Sequence, residues 1–350
     1  ILAARLDAPS VLIVFGVMQV FTGLMYGMPM PVQPLKAMAV IVITQKLSGN
    51  VLYGGGLAIG ITMALLSVSG LVGWVARVVP KSVVRGVQFG LGMQLAALAL
   101  KDYVPSGGVA GYALAGAAFV LTVLLFGNRR FPPAPFIILL GIAYAFLFKL
   151  DAGALRTTMG LHVPHLHTPT WGDAVTGFWV LALPQLPLSL SNSILATHRV
   201  AQDLFPQRNV TVPKISLTYS LMNLVSPFLS GVPTCHGSGG IAGHYAFGGR
   251  TGGSVVIYGA VYLVLGIFLG GGFGLTVQLF PLPVLGVILL FEALALMRLV
   301  RDMFASAADM TVVLLVGLMA FGLPYGYVIG VIIGMALVAL FKRNWSGLAE

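Results

Sequence analysis

Apolar runs of membrane-spanning length fill the chain, separated by short polar or Pro/Gly breaks. A helix needs about 20 apolar residues to cross the hydrocarbon core of a bilayer. On that rule the pattern predicts thirteen membrane segments, over roughly residues 9–28, 29–47, 51–75, 82–100, 109–127, 133–150, 173–198, 215–231, 232–247, 253–273, 279–300, 307–323 and 325–342. Two of them depart from a plain apolar span. Segments 29–47 and 232–247 open on Gly, Pro and polar residues before a helical apolar pattern resumes, so each is expected to be extended, then helical. Irregular backbone at membrane depth is tolerated only where it is buried in protein or lines a cavity. A helix beginning there leaves its first N–H groups without intrahelical partners. Together with the macrodipole, those groups attract an anion.

The two interruptions match each other. Gly27–Ala39 reads GMPMPVQPLKAMA and Gly231–Gly243 reads GVPTCHGSGGIAG. An offset of 204 residues lays Gly27 on Gly231, Pro29 on Pro233, Gln33 on Gly237, Pro34 on Ser238 and Lys36 on Gly240. Paired Gly/Pro-interrupted segments at matching places in two halves point to a transporter binding site. If the repeats are inverted, the half-helices meet end to end near the midplane, each N-terminus supplying roughly +0.5 of a charge. Such a pocket is cationic with few full charges, which suits an anion that must bind and then leave. The competing reading, two Pro-kinked packing helices, does not account for the recurrence. The same offset applied to 173–198 places its partner before Ile1. The expectation is that the first span of the first repeat is absent, with a groove beside Gln33–Met38.

Composition narrows the class. The chain is 58% hydrophobic and 8% charged, with mean hydropathy +0.98, as in a polytopic membrane protein without a soluble domain. The net charge of +10 reads as basic loops rather than a nucleic-acid surface. Thirteen basic residues fall on one side of the predicted topology and five on the other, with Lys36 inside a segment. The richer side is expected to be cytoplasmic, in the cell membrane, and it carries the C-terminus. The single cysteine, Cys235, excludes an intramolecular disulfide and a CxxC site. His162, His165 and His167 cluster in a loop and read as a solvated segment rather than a metal site. No metal and no cofactor is called for.

The candidate substrate-binding residues follow from the half-helix openings: Gln33, Pro34 and Leu35 in the first, and His236, Gly237, Ser238 and Gly239 in the second. Gln185, Ser189 and Asn192 stand at i, i+4 and i+7, on one helical face. Such a row faces either a cavity or another helix. Lys36 either adds charge to the pocket or ties to a carboxylate such as Asp203; the tie is favoured, since a full charge beside a dianion would hold it too tightly. Glu292 is the only carboxylate well inside a predicted span, so it is a candidate proton-coupling group. Arg298 and Arg301 follow it closely, and the alternative is an interfacial position. An enzyme is not expected. The GxGxxA match at Gly237–Ala242 lacks a βαβ unit, and the His236-Gly-Ser-Gly-Gly run lacks a GxSxG elbow.

At these residues a family resemblance emerges. PMPVQPLKAMA (Pro29–Ala39) resembles the PMPVQPMKA signature of the molybdate transporter family. LPQLPLSLSNSI (Leu183–Ile194), DLFP (Asp203–Pro206) and CHGSGGIAGHYAFGGRTG (Cys235–Gly252) resemble its second-half motifs. The resemblance implies an all-α fold shared with sulfate and nucleobase permeases: fourteen segments in two inverted repeats of seven, divided into core and gate. Here the repeats would be 1–150 (segments 2–7, the opening span absent) and 151–350 (segments 8–14). The core would be about 9–75 and 173–273, the gate about 82–150 and 279–342. The implied substrate site lies between Gln33–Leu47 and Gly237–Phe247. The resulting expectation is a secondary active transporter of a tetrahedral oxyanion, molybdate foremost, working by alternating access. Sulfate is the runner-up. A nucleobase is less favoured, because the middle of 173–198 has no carboxylate to grip ring N–H groups. The partners are the oxyanion and the lipid bilayer, not nucleic acid, with a homodimer left open.

Overall fold

The computed structural model describes residues 6–128, 130–148, 159–272, 280–323 and 325–342. Of the basic residues counted above, Arg5, Arg129, Lys149, Arg156 and Arg343 lie outside the described residues, as do the end of the 133–150 segment and the start of 279–300.

The chain is helical nearly throughout. Among the described residues the strands are two, β1 (Val32–Pro34) and β2 (Thr234–His236), paired antiparallel. Five helical stretches are long and apolar enough to cross a membrane: Ala8–Tyr26, Gly49–Val68, Lys81–Leu125, Gly253–Gly272 and Leu282–Met303. Trp171–Leu186 and Ser189–Leu204 form a sixth if the pair, bent by 52°, is taken as one span. Pro133–Phe148, Ala307–Gly322 and Gly326–Phe341 are shorter apolar helices. The starts are legible in sequence: the side chains of Asp7, Ser48, Thr170, Thr211 and Ser306 each accept a first-turn N–H, and Pro follows Asp7 and Thr211 within two residues.

Two boundaries differ from the hydropathy reading. A loop was expected between 100 and 109. Instead a π turn (Ala99–Tyr103) and a 3-10 turn (Val104–Gly107) carry the chain on, and Gly108, at φ +57°, redirects it. The 51–75 segment is broken: Gly49–Val68 ends before Gly70, at φ +76°, and Leu71–Val78 is a separate amphipathic helix. Only glycine enters that backbone region without steric cost, and hydropathy averaged over the segment passes across it.

The chain divides into two compact units, Ile1–Val78, Arg156–Ser238 and Thr251–Gly274 in the first, Val79–Leu155, Gly239–Arg250 and Leu275–Glu350 in the second. In the first unit, helices Ala8–Tyr26 and Gly253–Leu269 cross at their glycines. A Cβ on Gly16 would lie 2.8 Å from the Gly259 carbonyl oxygen, and one on Gly23 2.7 Å from that of Gly252. Lipid supplies no hydrophobic drive for helix association, so this close backbone approach and its dispersion contacts hold the pair. In the second unit, helix Lys81–Leu98 packs on Ala307–Gly322 in the same way, through Gly86, Gly90 and Gly317. Phe247, Phe291, Val284, Val287 and Ile137 form an apolar cluster in the same unit. Arg85, 2% exposed, reaches Asp302 with Nε at 3.0 Å and Nη2 at 2.6 Å, and Lys81 meets the same carboxylate at 2.8 Å.

Candidate functional site

Short strands inside an apolar protein face one difficulty. Their outer edges carry backbone groups that water cannot reach, and each one left unpaired is costly. Two side-chain amides resolve it. Gln19 Nε2 donates to the Val32 carbonyl at 2.8 Å, and the Val32 N–H donates back to Gln19 Oε1 at 2.9 Å. Asn223 Nδ2 donates to the Thr234 carbonyl at 2.6 Å, and the Thr234 N–H returns to Asn223 Oδ1 at 2.9 Å. Each amide acts as a surrogate strand, and both are fully buried.

This arrangement corrects the residue register of the repeat. Gln19 and Asn223 are 204 residues apart, as the offset requires. The strand pairs, however, are Val32 with His236, Gln33 with Cys235 and Pro34 with Thr234. They are symmetric about Gln33 and Cys235, which are 202 apart, and the half-helices begin at Lys36 and Ser238, also 202 apart. Gln33 is therefore the counterpart of Cys235 rather than Gly237, and Lys36 of Ser238 rather than Gly240. Part of the reason is the end of the preceding helix. The second copy tightens into a 3-10 turn, Ser226–Leu229. Such a turn rises about 2.0 Å per residue against 1.5 Å, so it spans the same distance with fewer residues.

The half-helices are Lys36–Gln45 and Ser238–Ala246, each shorter at both ends than the expected Gln33–Leu47 and Gly237–Phe247. At the first, Leu35 is the buried N-cap without a side-chain cap of its own, and its N–H donates to the Pro233 carbonyl at 3.1 Å. The N–H groups of Ala37 and Met38 donate to Gln185 Oε1 at 2.9 and 3.3 Å. Gln185 Nε2 donates to Ser189 Oγ at 3.2 Å, and Ser189 Oγ lies 2.8 Å from Tyr219 Oη. At the second half-helix, Ser238 Oγ donates to Asn192 Oδ1 at 3.1 Å. Gln185 and Ser189 thus bond to each other along one run, and Gln185, Ser189 and Asn192 each bond to a different neighbouring helix.

The helix that carries them is irregular for a reason readable in its sequence. Pro184 and Pro187 have no N–H to donate. The run from Trp171 to Leu204 takes π hydrogen bonding at Phe178–Ala182 and again at Ser189–Ala196, around and beyond the prolines. Such turns concentrate at functional sites.

The remaining predicted residues fall as follows. Gln33 is half-buried, and its carboxamide lies over Gly237, where a Cβ would collide with it. Pro34 is exposed. His236 is buried, with Nε2 2.7 Å from Thr218 Oγ1, which lies 2.6 Å from Tyr26 Oη. Lys36 opens its helix. Asp203, the partner suggested for Lys36, pairs with Arg199 at 3.5 Å. In the second unit, the Glu292 carboxylate covers one face of the second half-helix: a Cβ on Gly239 would strike Oε1, and one on Gly243 would sit 3.1 Å from Oε2. The histidine loop is held down by its backbone, His162 N–H to the Ile267 carbonyl and His167 N–H to that of Phe228, each at 2.9 Å. Among the described residues no group of three His, Cys, Asp or Glu could hold a metal ion. Sequence reasoning missed Gln19, Asn223, Tyr26, Thr218 and Tyr219. The first two could have been found as amides at the repeat offset inside apolar spans.

With this geometry in hand, the chain can be set beside known proteins. A family model described as "Molybdate transporter of MFS superfamily" matches residues 1–95 and 177–296. Molybdate transporter 1 of Arabidopsis thaliana is 32% identical, covering 99% of this chain and 84% of the relative. The chain belongs to the molybdate transporter family. Molybdate transporter 2 of the same plant is 30% identical over 86% of this chain and 75% of its own length. Among solved structures, murine Slc26a9 in the inward-facing state aligns with TM-score 0.61 at 15% identity, covering 98% of this chain and 67% of that one. The transmembrane domain of the cyanobacterial bicarbonate transporter BicA aligns at 0.53 and 18%, covering 97% and 92%. At these identities the likeness is one of fold. The family's description names the MFS superfamily, whereas the architecture matches Slc26a9 and BicA. This family member is an all-α, multi-pass integral membrane protein with an anion-transporter fold.

Proposed function

We propose that this member of the family is a secondary active transporter of a tetrahedral oxyanion, with molybdate as its foremost substrate. The observation that carries the reading is the β1–β2 pair. Antiparallel strands of three residues, each running into a half-helix, send the helices off from opposite ends of one ribbon. The two helices then run away from each other, and their N-terminal ends face the ribbon between them. Both attract negative charge. Gln33, Pro34 and Leu35 border the first end, His236, Gly237, Ser238 and Gly239 the second, and Asn192 stands beside Ser238. Gln185 and Ser189 serve the first end. Backbone N–H groups and neutral side chains suit an ion that must be released again.

The Arabidopsis relatives are molybdate transporters, which supports this substrate, and sulfate is the second candidate as a tetrahedral dianion of similar chemistry. We read residues 1–150 and 151–350 as inverted repeats, and transport as alternating exposure of the site by a core moving against a gate. The cell membrane, a cytoplasmic C-terminus and a homodimer belong to the same reading. The test is competition binding on the purified full chain. Molybdate should bind, sulfate should compete at higher concentration, and uracil should not compete. Failure of both oxyanions to bind overturns the reading.

A further inference from the structure

The positive end of the first half-helix is already occupied by the protein itself. Gln185 Oε1 accepts from Ala37 at 2.9 Å and from Met38 at 3.3 Å, the second and third residues of the Lys36–Gln45 helix. Those are the donors that a capping side chain or a bound anion uses. The orientation of the carboxamide is fixed by chemistry, because an amide nitrogen cannot accept from two backbone N–H groups. Its other end is held as well. Nε2 donates to Ser189 Oγ, and Ser189 meets the Tyr219 hydroxyl. Gln185 is 1% exposed, and Ser189 and Tyr219 are 0%.

We infer that Gln185 is a tethered competitor for the substrate: its oxygen fills the anion-attracting end of the first half-helix, gives way when an oxyanion binds, and returns as the ion leaves. The inference rests on the oxyanion-transporter reading and changes the role of Gln185 within it, from ligand to rival. A carboxamide oxygen is a neutral acceptor, whereas an oxyanion oxygen makes a charge-assisted bond about twice as strong. The anion therefore wins the exchange, yet part of its binding free energy goes into displacing the rival. The apparent affinity falls by the fraction of molecules whose helix end is open. The same return of Gln185 lowers the barrier to release. Tyr219 is a positioning residue here, acting through Ser189 on the occupancy of Gln185 without touching substrate.

The sign of one mutation separates this from its rivals. The full chain, purified in lipid nanodiscs, is assayed for equilibrium binding of molybdate, and in liposomes for maximal uptake rate. Removing a competitor tightens binding, so Gln185→Ala should lower the Kd for molybdate and for sulfate by a common factor, about fivefold. Its maximal uptake rate should fall, since release slows. Tyr219→Phe, which preserves the ring, should move both quantities the same way by less. Weaker binding in Gln185→Ala would make Gln185 an ordinary ligand. An unchanged Kd with a lowered melting temperature would make it a structural cap. Either result overturns the proposal. If Gln185→Ala does not fold, the direction of the Kd change in Tyr219→Phe decides alone. Wild-type protein that binds neither oxyanion would instead overturn the transporter reading.

Discussion

Ser238 and Gln33 show what single side chains contribute at this site. Ser238 stands at the first position of the second half-helix, bonded to Asn192, and Gln33 lies over Gly237 one strand away. Gln33 can present an amide donor to an anion held at the helix ends, and Ser238 its hydroxyl once the bond to Asn192 opens. Ser238→Ala and Gln33→Ala are each expected to weaken molybdate binding by roughly 1–3 kcal/mol, the usual loss for a hydrogen bond to a charged group. Isothermal titration on folded protein measures this, and unchanged affinity in both variants would place the substrate elsewhere. His236 also carries a structural bond. Its bond to Thr218, and that of Thr218 to Tyr26, tie β2 into helices Val212–Val225 and Ala8–Tyr26.

At the scale of elements, the ribbon and the ion network each depend on a buried group with an irreplaceable partner. Asn223→Ala leaves the Thr234 N–H and carbonyl without their surrogate strand. The expected cost is roughly 1–3 kcal/mol for each orphaned group, seen as a lowered melting temperature. Gln19→Ala should do the same to β1 through Val32. If neither variant is destabilised, the strands do not rely on these amides. In the second unit, Asp302→Asn removes the charge facing the buried Arg85 guanidinium. The expected loss is of the order of 3 kcal/mol, at the low end for a buried pair because Asp302 is partly exposed. Lys81→Ala, taking away the more exposed partner, should cost well under 1 kcal/mol. Equal effects of the two substitutions in thermal unfolding would contradict this ordering.

Coupling belongs to the whole molecule, since it links a proton to a transport cycle. Glu292 is the candidate for it: its carboxylate lies along the Gly239 and Gly243 face of the second half-helix. If a proton and the dianion are carried in one cycle, protonation of this carboxylate offsets part of the substrate's charge. Acid on the uptake side should therefore stimulate entry. Glu292→Gln, permanently neutral, should take up molybdate down its own gradient but no longer respond to a pH gradient. Liposomes loaded at two internal pH values distinguish the cases, and an undiminished response returns Glu292 to a packing role.

The sequence by itself determined the class of molecule, because membrane length and hydropathy are properties of each segment taken alone. It determined the two irregular half-helices for the same reason: Gly and Pro impose their backbone limits locally, as at Pro29–Pro34 and Pro233–Gly240. The family motifs determined the kinship. Tertiary structure decided what depends on contact between distant residues. The pairing of Gln33 with Cys235 rather than its equivalence to Gly237 was settled by strand register, to which the 3-10 turn at Ser226–Leu229 contributed. Gln185, Ser189 and Asn192 could be placed on one face from spacing, but not assigned partners; Ala37, Met38, Tyr219 and Ser238 lie between 30 and 148 residues away from those they bond. An amide in an apolar span reads the same in sequence whether it faces a substrate or caps a helix, since only the geometry of its neighbours distinguishes the two.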